Sequence, residues 1–277
     1  MNPQLDQLLA RLDAVMAPNA PANGRGDGGV HVGVDLGTAY TVLIALDSTQ
    51  TPIGAAYRFA QVVRDGLVVD FGGAVELVKT LKAQVEQQLG HELTRAATAY
   101  PPGVPLAEVR ATGYVLEAAG LECVGYVDEP SAANNVLQVK EGAIADVGGG
   151  TTGIAVIHNG RVVYTADEPT GGTHFSLVIA GAKNIPFEEA ERLKTDPARQ
   201  KELFPLVRPV MEKVAEIIRR HVQGKEVQRI YLVGGACAYP GMAQVVEEYT
   251  GIAACVPGKP LFITPLGIAM HAAQEAQ

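Results

Sequence analysis

Residues 32–46 read VGVDLGTAYTVLIAL, and residues 143–157 read AIADVGGGTTGIAVI. Each stretch is an apolar run followed by Asp-x-Gly, then small residues with threonine, then a second apolar run. The two stretches align at one constant offset, which pairs Asp35 with Asp146, Gly37 with Gly148 and Thr41 with Thr152. A recurrence so far apart in the chain predicts two related domains rather than a short-period repeat.

Each stretch predicts two strands that meet at a tight turn made possible by glycine. The missing side chains let backbone N–H groups reach an anion, and threonine adds a hydroxyl donor. A carboxylate beside a phosphate repels it, so Asp35 and Asp146 are predicted to hold a bridging cation such as Mg²⁺. The alternative is that both are ordinary glycine-containing hairpins. Two matched copies favour a phosphate clamp, in which the hairpins face each other across one Mg-polyphosphate.

Composition narrows the class of protein. The chain has 277 residues, 47% hydrophobic and 19% charged, which predicts a globular protein long enough for two modest domains. A net charge of −8 argues against a nucleic-acid or anionic-membrane surface. Three scattered cysteines without a CxxC pair predict a reduced, cytoplasmic compartment and give no metal signature. No apolar run approaches the ~20 residues that span a bilayer.

The N-terminus predicts an amphipathic helix over residues 3–17, followed by a Pro/Gly/Ala-rich tether over residues 17–29. A short apolar helix on a tether resembles the targeting peptides of enzymes packed into bacterial microcompartments. On that interpretation a partner docks on the helix through Leu5, Leu8, Leu9 and Leu12. The alternative is a helix that folds back onto its own domain, and the sequence leaves both open.

Four further segments hold candidate site residues. Glu129 follows a predicted strand and directly precedes Pro130. Its carboxylate either orients a water molecule or interacts with the dipole at the start of a helix. Gly171-Gly172 offers either a close backbone approach or a plain turn. Glu191 and Lys194 stand one helical turn apart, which is usually a surface ion pair. The strand over residues 229–233 runs into GGACAYPGM, and a strand entering a diglycine turn before a helix is typical of nucleotide contacts.

Taken in order, these motifs resemble those of the actin, DnaK-type chaperone and sugar-kinase superfamily. The segments that carry the resemblance are DLGTAYT at 35–41, DEPSAA at 128–133, DVGGGTT at 146–152, VGGACAYPGM at 233–242 and TPLGIAMHAA at 264–273. Within that superfamily the chain length and the motif sequences most resemble the EutJ family of bacterial ethanolamine-utilisation operons. Proteins of that family are often described as chaperone-like. RDGLVVDF at 64–71 also resembles the related MreB and PilM families.

The resemblance implies an α/β fold with two similar ribonuclease-H-like (actin-like ATPase) domains around a nucleotide cleft. Domain I is expected over residues 30–142, with a small insertion at about 47–92 and a closing C-terminal helix at about 260–277. Domain II is expected over 143–259, and residues 1–29 form the helix and tether.

The resemblance also assigns roles, with ATP and Mg²⁺ as the implied cofactors. Asp35 and Asp146 match the acids that hold Mg²⁺ mainly through water, and Glu129 matches the acid that positions the attacking water. Phosphate contacts are implied for Gly37, Thr38, Ala39, Tyr40, Gly148, Gly149, Gly150 and Thr151. Adenosine contacts are implied for Glu191, Lys194, Gly234, Gly235 and Ala236, and Gly171 and Gly172 complete the candidate nucleotide-binding set.

Three departures from the chaperone pattern make fast hydrolysis doubtful. Gly153 stands where those chaperones place a second acid, Ala238 stands where they place an arginine over the adenine, and their catalytic lysine has no match. The first hypothesis is therefore a slow ATPase that drives a client protein or microcompartment component of ethanolamine utilisation. The second is a nucleotide-binding adaptor without turnover, like PilM. A small-molecule kinase is the third, because little chain remains for a substrate pocket.

Overall fold

The computed structural model describes residues 3–17, 29–64 and 66–275, and the chain forms two compact units. Unit 1 comprises Met1–Gln138 and Phe262–Gln277, and unit 2 comprises Val139–Leu261. The predicted tether over residues 17–29 lies almost wholly outside the described residues.

Unit 1 is built on a five-stranded sheet in the order β3-β2-β1-β6-β7. Its strands are β1 (His31–Leu36), β2 (Tyr40–Leu46), β3 (Pro52–Phe59), β4 (Val63–Arg64), β5 (Leu67–Val68), β6 (Arg95–Tyr100) and β7 (Glu122–Asp128). Its helices are α1 (Pro3–Met16), α2 (Phe71–Leu89), α3 (Leu106–Ala118), α4 (Glu129–Leu137) and α9 (Ile263–Gln274). β1, β2 and β3 are antiparallel neighbours, whereas β1, β6 and β7 run parallel.

The two faces of this sheet carry separate cores. One core joins the apolar residues of β1 and β2 to α2 and α3, with Leu43, Leu81 and Leu116 fully buried. The other joins β6 and β7 to α4 and α9 through mostly small residues, including Ala97, Ala132 and Ala272. The insertion expected at about 47–92 is smaller in the structure, because β3 belongs to the main sheet and only β4 and β5 pair apart from it.

Unit 2 repeats the same sheet topology, in the order β10-β9-β8-β11-β12. Its strands are β8 (Gly142–Val147), β9 (Thr151–His158), β10 (Arg161–Pro169), β11 (Arg229–Val233) and β12 (Ala253–Cys255). Its helices are α5 (Gly172–Lys183), α6 (Phe187–Thr195), α7 (Pro197–Val222) and α8 (Met242–Thr250). An apolar core joins one face of the sheet to these helices, with Phe175 and Met211 fully buried within it.

Helix α1 folds onto its own unit. Leu5, Leu9 and Leu12 are buried, Leu8 is half-buried, and α1 packs against the edge strand β3. The Arg11 guanidinium also donates a hydrogen bond from Nε to the Pro52 carbonyl at 3.2 Å. The hypothesis that these leucines form a docking face for a partner is therefore wrong for this arrangement, because packing against β3 buries Leu5, Leu9 and Leu12 and leaves Leu8 partly exposed.

Two helices of unit 2 differ from what the sequence pattern indicates. The apolar pattern predicts a long amphipathic helix over residues 205–223, yet α7 begins already at Pro197, where the Asp196 carboxylate accepts a hydrogen bond from the Ala198 N–H at 2.9 Å. The helix continues through Pro205 and Pro209 because its apolar stripe is anchored in the core on both sides of them. Helix α5 begins at Gly172, within the Gly171-Gly172 pair that the sequence analysis interprets as a close backbone approach or a plain turn.

Candidate functional site

The two predicted hairpins have the same geometry. In unit 1 Asp35 pairs with Val42 across β1 and β2, and in unit 2 Asp146 pairs with Gly153 across β8 and β9. Each turn is closed by the same hydrogen bond, from the Gly37 N–H to the Tyr40 carbonyl at 3.1 Å and from the equivalent Gly148 N–H to the Thr151 carbonyl at 3.0 Å. The duplication in the sequence is therefore a duplication of backbone structure.

The resemblance between the copies extends to the third strand of each sheet. The Ala60 N–H that follows β3 donates to the Ala39 carbonyl, and the Thr170 N–H that follows β10 donates to the Gly150 carbonyl, both at 3.0 Å. The tip of each turn is thus held to the chain that leaves the sheet. In unit 2 the Thr152 hydroxyl adds a buried hydrogen bond to the Thr170 carbonyl at 2.7 Å.

The first residues of α5 hold the glycine turn of unit 2 through backbone hydrogen bonds. The N–H groups of Gly172 and Thr173 donate to the carbonyls of Gly148 and Gly149, both at 2.8 Å. A Cβ at Gly171 would lie only 2.6 Å from the Gly148 oxygen, so only glycine fits there. Since a trans peptide places C=O and the next N–H on opposite sides, the N–H groups of Gly149 and Gly150 point away from α5. Outward-facing N–H groups of this kind can bind an anion.

The Asp146 carboxylate is held by the turn after β11. Asp146 is 6% exposed, and Val233 pairs with it across β8 and β11. Gly234 follows at φ +88°, and a Cβ there would lie 2.6 Å from the Val147 carbonyl carbon and closer still to Asp146 Oδ1. Burial, together with the charge of Asp146, raises the pKa of the Cys237 thiol well above its ordinary value. Cys237 therefore stays a neutral, buried neighbour of this carboxylate.

Glu191 and Lys194 form a buried pair rather than a surface ion pair. Lys194 Nζ lies 2.6 Å from Glu191 Oε2 and donates to the Gly172 carbonyl at 3.1 Å. The Ser176 hydroxyl donates to the same carboxylate oxygen. Burial lowers the pKa of Lys194, and the charge of Glu191 opposes that shift. The other carboxylate oxygen, Glu191 Oε1, is buried without a hydrogen-bond partner among the described residues.

These contacts bring four separate sequence motifs together in unit 2. Gly171 touches the glycine turn, Gly172 lies beside Ala236 and Lys194, and Gly234 lies against Asp146. An outward-facing row of N–H groups, a buried carboxylate and an unsatisfied carboxylate oxygen fit a phosphate group, a hydrated cation and a ligand hydroxyl, respectively. The roles of Ser176 and Cys237 were not predicted: Ser176 lies beyond the Gly171-Gly172 pair, and Cys237, although it belongs to the 233–242 motif, has no signal of its own beside the glycines.

In unit 1 the candidate residues lie at one edge of the sheet. β1 and β7 run parallel with β6 between them, so Asp35 at the end of β1 and Glu129 after β7 share the edge formed by the carboxyl ends of the strands. Glu129 is the first residue of α4, while the carboxylate of Asp128 caps that helix by accepting from the Ser131 N–H at 3.0 Å. Asp128, and not Glu129, is therefore the residue that caps α4.

The loop residues Thr38, Ala39 and Tyr40 lie at the unit 1 turn and are half-buried. The Tyr40 ring packs edge-on against Phe59, with the ring centroids 5.5 Å apart. Its side chain therefore anchors the turn to β3.

No three His, Cys, Asp or Glu side chains within residues 3–17, 29–64 and 66–275 come together as a potential metal site. None of the helices over those same ranges is both long and apolar enough to cross a membrane.

Comparison with known proteins identifies the family. The chain is 43% identical over 247 residues to the ethanolamine utilization protein EutJ of Salmonella typhimurium, covering 89% of this chain and 87% of that one. The chain belongs to the EutJ family. The crystal structure of EutJ from Carboxydothermus hydrogenoformans superposes with a TM-score of 0.90 at 46% identity, over 96% of this chain and 98% of that one.

More distant matches lie in the wider superfamily. A family model described as type IV pilus assembly protein PilM matches residues 113–261, more than half of the chain, so this EutJ-family chain belongs to that broader family as well. A PilM–PilN type IV pilus biogenesis complex shares the fold, with a TM-score of 0.72 at 16% identity over 88% of this chain and 98% of that one. A chaperone protein HscA homologue of Methylobacillus flagellatus is 25% identical over 72% of this chain and 40% of its own length. The actin-like fold class expected from the sequence is confirmed.

Proposed function

We propose that this EutJ-family protein binds a Mg-nucleoside triphosphate and hydrolyses ATP slowly, as a chaperone-like factor of ethanolamine utilisation. The observation that carries the proposal is the convergence of four motifs around the glycine turn of unit 2, next to the buried carboxylate of Asp146. The similarity to an ethanolamine utilization protein and to a chaperone protein HscA homologue supports a chaperone-like role in that process.

The residues of the two hairpins have distinct tasks in this proposal. The outward N–H groups of Gly149 and Gly150 bind phosphate oxygens, as do those of the equivalent turn in unit 1. Asp35 and Asp146 would hold Mg²⁺ through its bound waters. The ion would neutralise part of the phosphate charge. Glu191 Oε1 accepts a hydrogen bond from a hydroxyl of the ligand, which satisfies its buried lone pairs. Glu129 positions the attacking water by accepting its proton.

The first experiment measures binding. Mg-ATP is expected to raise the melting temperature of the full chain by an amount that grows with ligand concentration, as linkage requires. Titration calorimetry measures the affinity and the number of nucleotides bound per chain. Asp146→Asn should weaken Mg-ATP binding, whereas Asp196→Asn, which alters an exposed helix cap, should not. No melting shift with ATP, ADP or GTP would eliminate the proposal.

The second experiment separates hydrolysis from binding. Glu129→Ala is expected to abolish phosphate release while Mg-ATP affinity is kept. Glu122→Ala on the same strand, which removes an exposed partner of Arg95, is the matched control and should release phosphate like the wild type. Equal release rates for Glu129→Ala and wild type would remove Glu129 from the mechanism.

One alternative has an observation in its favour. Gly153 follows the turn where the chaperones have an acid, and the PilM family model spans residues 113–261. An adaptor that binds nucleotide without turnover would show the melting shift but no phosphate release, even with ethanolamine-utilisation enzymes or shell proteins present. Measurable release that depends on Glu129 would exclude this alternative.

A further inference from the structure

One cross-strand row in unit 2 contains two acids with a glycine between them. Gly153 of β9 pairs with Asp146 of β8 on one side and with Asp167 of β10 on the other. Residues directly opposite each other on neighbouring strands present their side chains on the same face of the sheet. Asp146 and Asp167 therefore share a face, and no side chain separates them at Gly153.

The next row confirms this assignment of faces. Val147, Thr152 and Glu168 follow one another across the same three strands. Val147 is buried in the core on the helix side, and the Glu168 carboxylate lies 2.6 Å from His221 and 2.7 Å from Arg220, both on α7. Because neighbouring residues along a strand alternate in direction, Asp167 faces away from α7.

The duplicated hairpin of unit 1 provides an internal comparison. The equivalent row there is Asp35, Val42 and Tyr57, so the positions of Gly153 and Asp167 hold residues that favour strands. Tyr57 packs edge-on against Phe262, with ring centroids 5.3 Å apart. Glycine and aspartate are both disfavoured in strands, so the fold alone does not explain why unit 2 has them in this row.

We propose that Asp167 is a second acid of the nucleotide site and holds water of the Mg²⁺ shell through the gap at Gly153. Two strand spacings separate the backbones of Asp146 and Asp167 by about 9.5 Å. A carboxylate that accepts a hydrogen bond from a water bound to Mg²⁺ would lie about 4.2 Å from the ion, so two such carboxylates would span up to about 8.4 Å, slightly less than the separation of the two backbones. Asp167 thereby supplies the charge that DnaK-type chaperones carry at the position of Gly153.

This role for Asp167 rests on the proposed function, and a separate observation in the same unit points to a ligand. Glu191 is 6% exposed and its Oε1 atom has no hydrogen-bond partner among the described residues. Glu191 is connected to the glycine turn through Lys194 and the Gly172 backbone. The row of acids and the unsatisfied oxygen therefore belong to the same group of contacting segments.

The test uses Mn²⁺ as a paramagnetic probe of the full-length protein with ATP. Asp167→Asn is expected to weaken Mn²⁺ binding to the protein–ATP complex about 10- to 100-fold, the range seen when outer-shell partners of a metal are removed. ATP affinity measured in EDTA should stay at the wild-type value, because Asp167 acts through the metal. Glu168→Gln is the matched control, since it changes the next residue on the opposite face.

A second variant protects the test against misfolding. In Gly153→Asp combined with Asp167→Asn, a carboxylate returns to the same face one strand closer, and Mn²⁺ affinity should recover at least tenfold relative to Asp167→Asn, within the range given above. If the wild type binds ATP and Mn²⁺ but neither variant changes Mn²⁺ affinity, the role of Asp167 is refuted while the proposed function stands. If the wild type binds no nucleotide at all, both are refuted.

Discussion

Replacing Gly234 with alanine tests how the turn after β11 supports Asp146. Gly234 has φ +88° and ψ 157°, a region that residues with a side chain rarely adopt. Its added Cβ would also press against Asp146 Oδ1 and the Val147 carbonyl. The substitution therefore has to shift either the turn or the carboxylate.

Both effects contribute to the expected magnitude. A side chain in such a backbone region costs about 1–3 kcal/mol, and inserting a methyl group into a packed site costs about 1–3 kcal/mol more. Gly234→Ala should therefore lower the free energy of unfolding by about 2–6 kcal/mol. Gly251→Ala is the matched control, because Gly251 has φ +70° and ψ 9° with no atom within 4 Å of an added Cβ. Backbone strain alone should make that control cost about 1–2 kcal/mol.

Urea unfolding measures the stability of both variants, and calorimetry with Mg-ATP measures binding below the unfolding transition. Gly234→Ala should lose at least about tenfold in Mg-ATP affinity, because displacing a positioned group by about 1 Å has large effects. Gly251→Ala should bind like the wild type. Equal stability and equal affinity in the two variants would refute the argument that Gly234 holds Asp146 in place.

Three further predictions follow from buried contacts. Leu12→Ala should lower the free energy of unfolding in urea by about 2–5 kcal/mol, because Leu12 is fully buried on the inner face of α1. Leu8→Ala should lower it by less than about 1.5 kcal/mol, because Leu8 is only half-buried. Lys194→Met should cost about 3–5 kcal/mol by leaving Glu191 buried without its cation, whereas Lys183→Met in an exposed pair should cost under about 1 kcal/mol; equal losses would contradict the buried pair. Burial raises the pKa of Glu86, but hydrogen bonds from Lys82 and the Leu93 N–H outweigh that effect and lower it below 4.5. The resulting stability is present above pH 4.5 and lost as the pH falls through the folded-state pKa, so Glu86→Gln should be destabilising at pH 7 and indistinguishable from wild type well below pH 4 in urea titrations.

Much of the fold was predictable because the deciding patterns are local. Each Asp-x-Gly stretch lies between two apolar runs, which together specify a hairpin, so the duplication of the sheet could be predicted from two segments alone. The apolar repeats of α2 and β11 likewise specify their element types, since period and length determine which face is buried. The ordered set of motifs then indicated the superfamily.

Other features depend on partners that are distant in the chain. The start of α5 was missed because Gly171-Gly172 signals a turn, and only the carbonyls of Gly148 and Gly149 make that turn the beginning of a helix. The sequence likewise left open whether α1 binds a partner or its own unit, because an amphipathic stripe shows that a face is apolar but not what covers it. In the structure β3 covers it.

The sequence by itself determined the repeated hairpins, the acids that end their first strands and the family to which the chain belongs, because each is set by neighbouring residues. Only the tertiary structure decided that Glu191 and Lys194 are buried together, that Gly234 lies against Asp146 and that Asp167 shares a row with it. Those relations depend on strand register and helix packing, which join residues far apart in the chain and leave no local pattern.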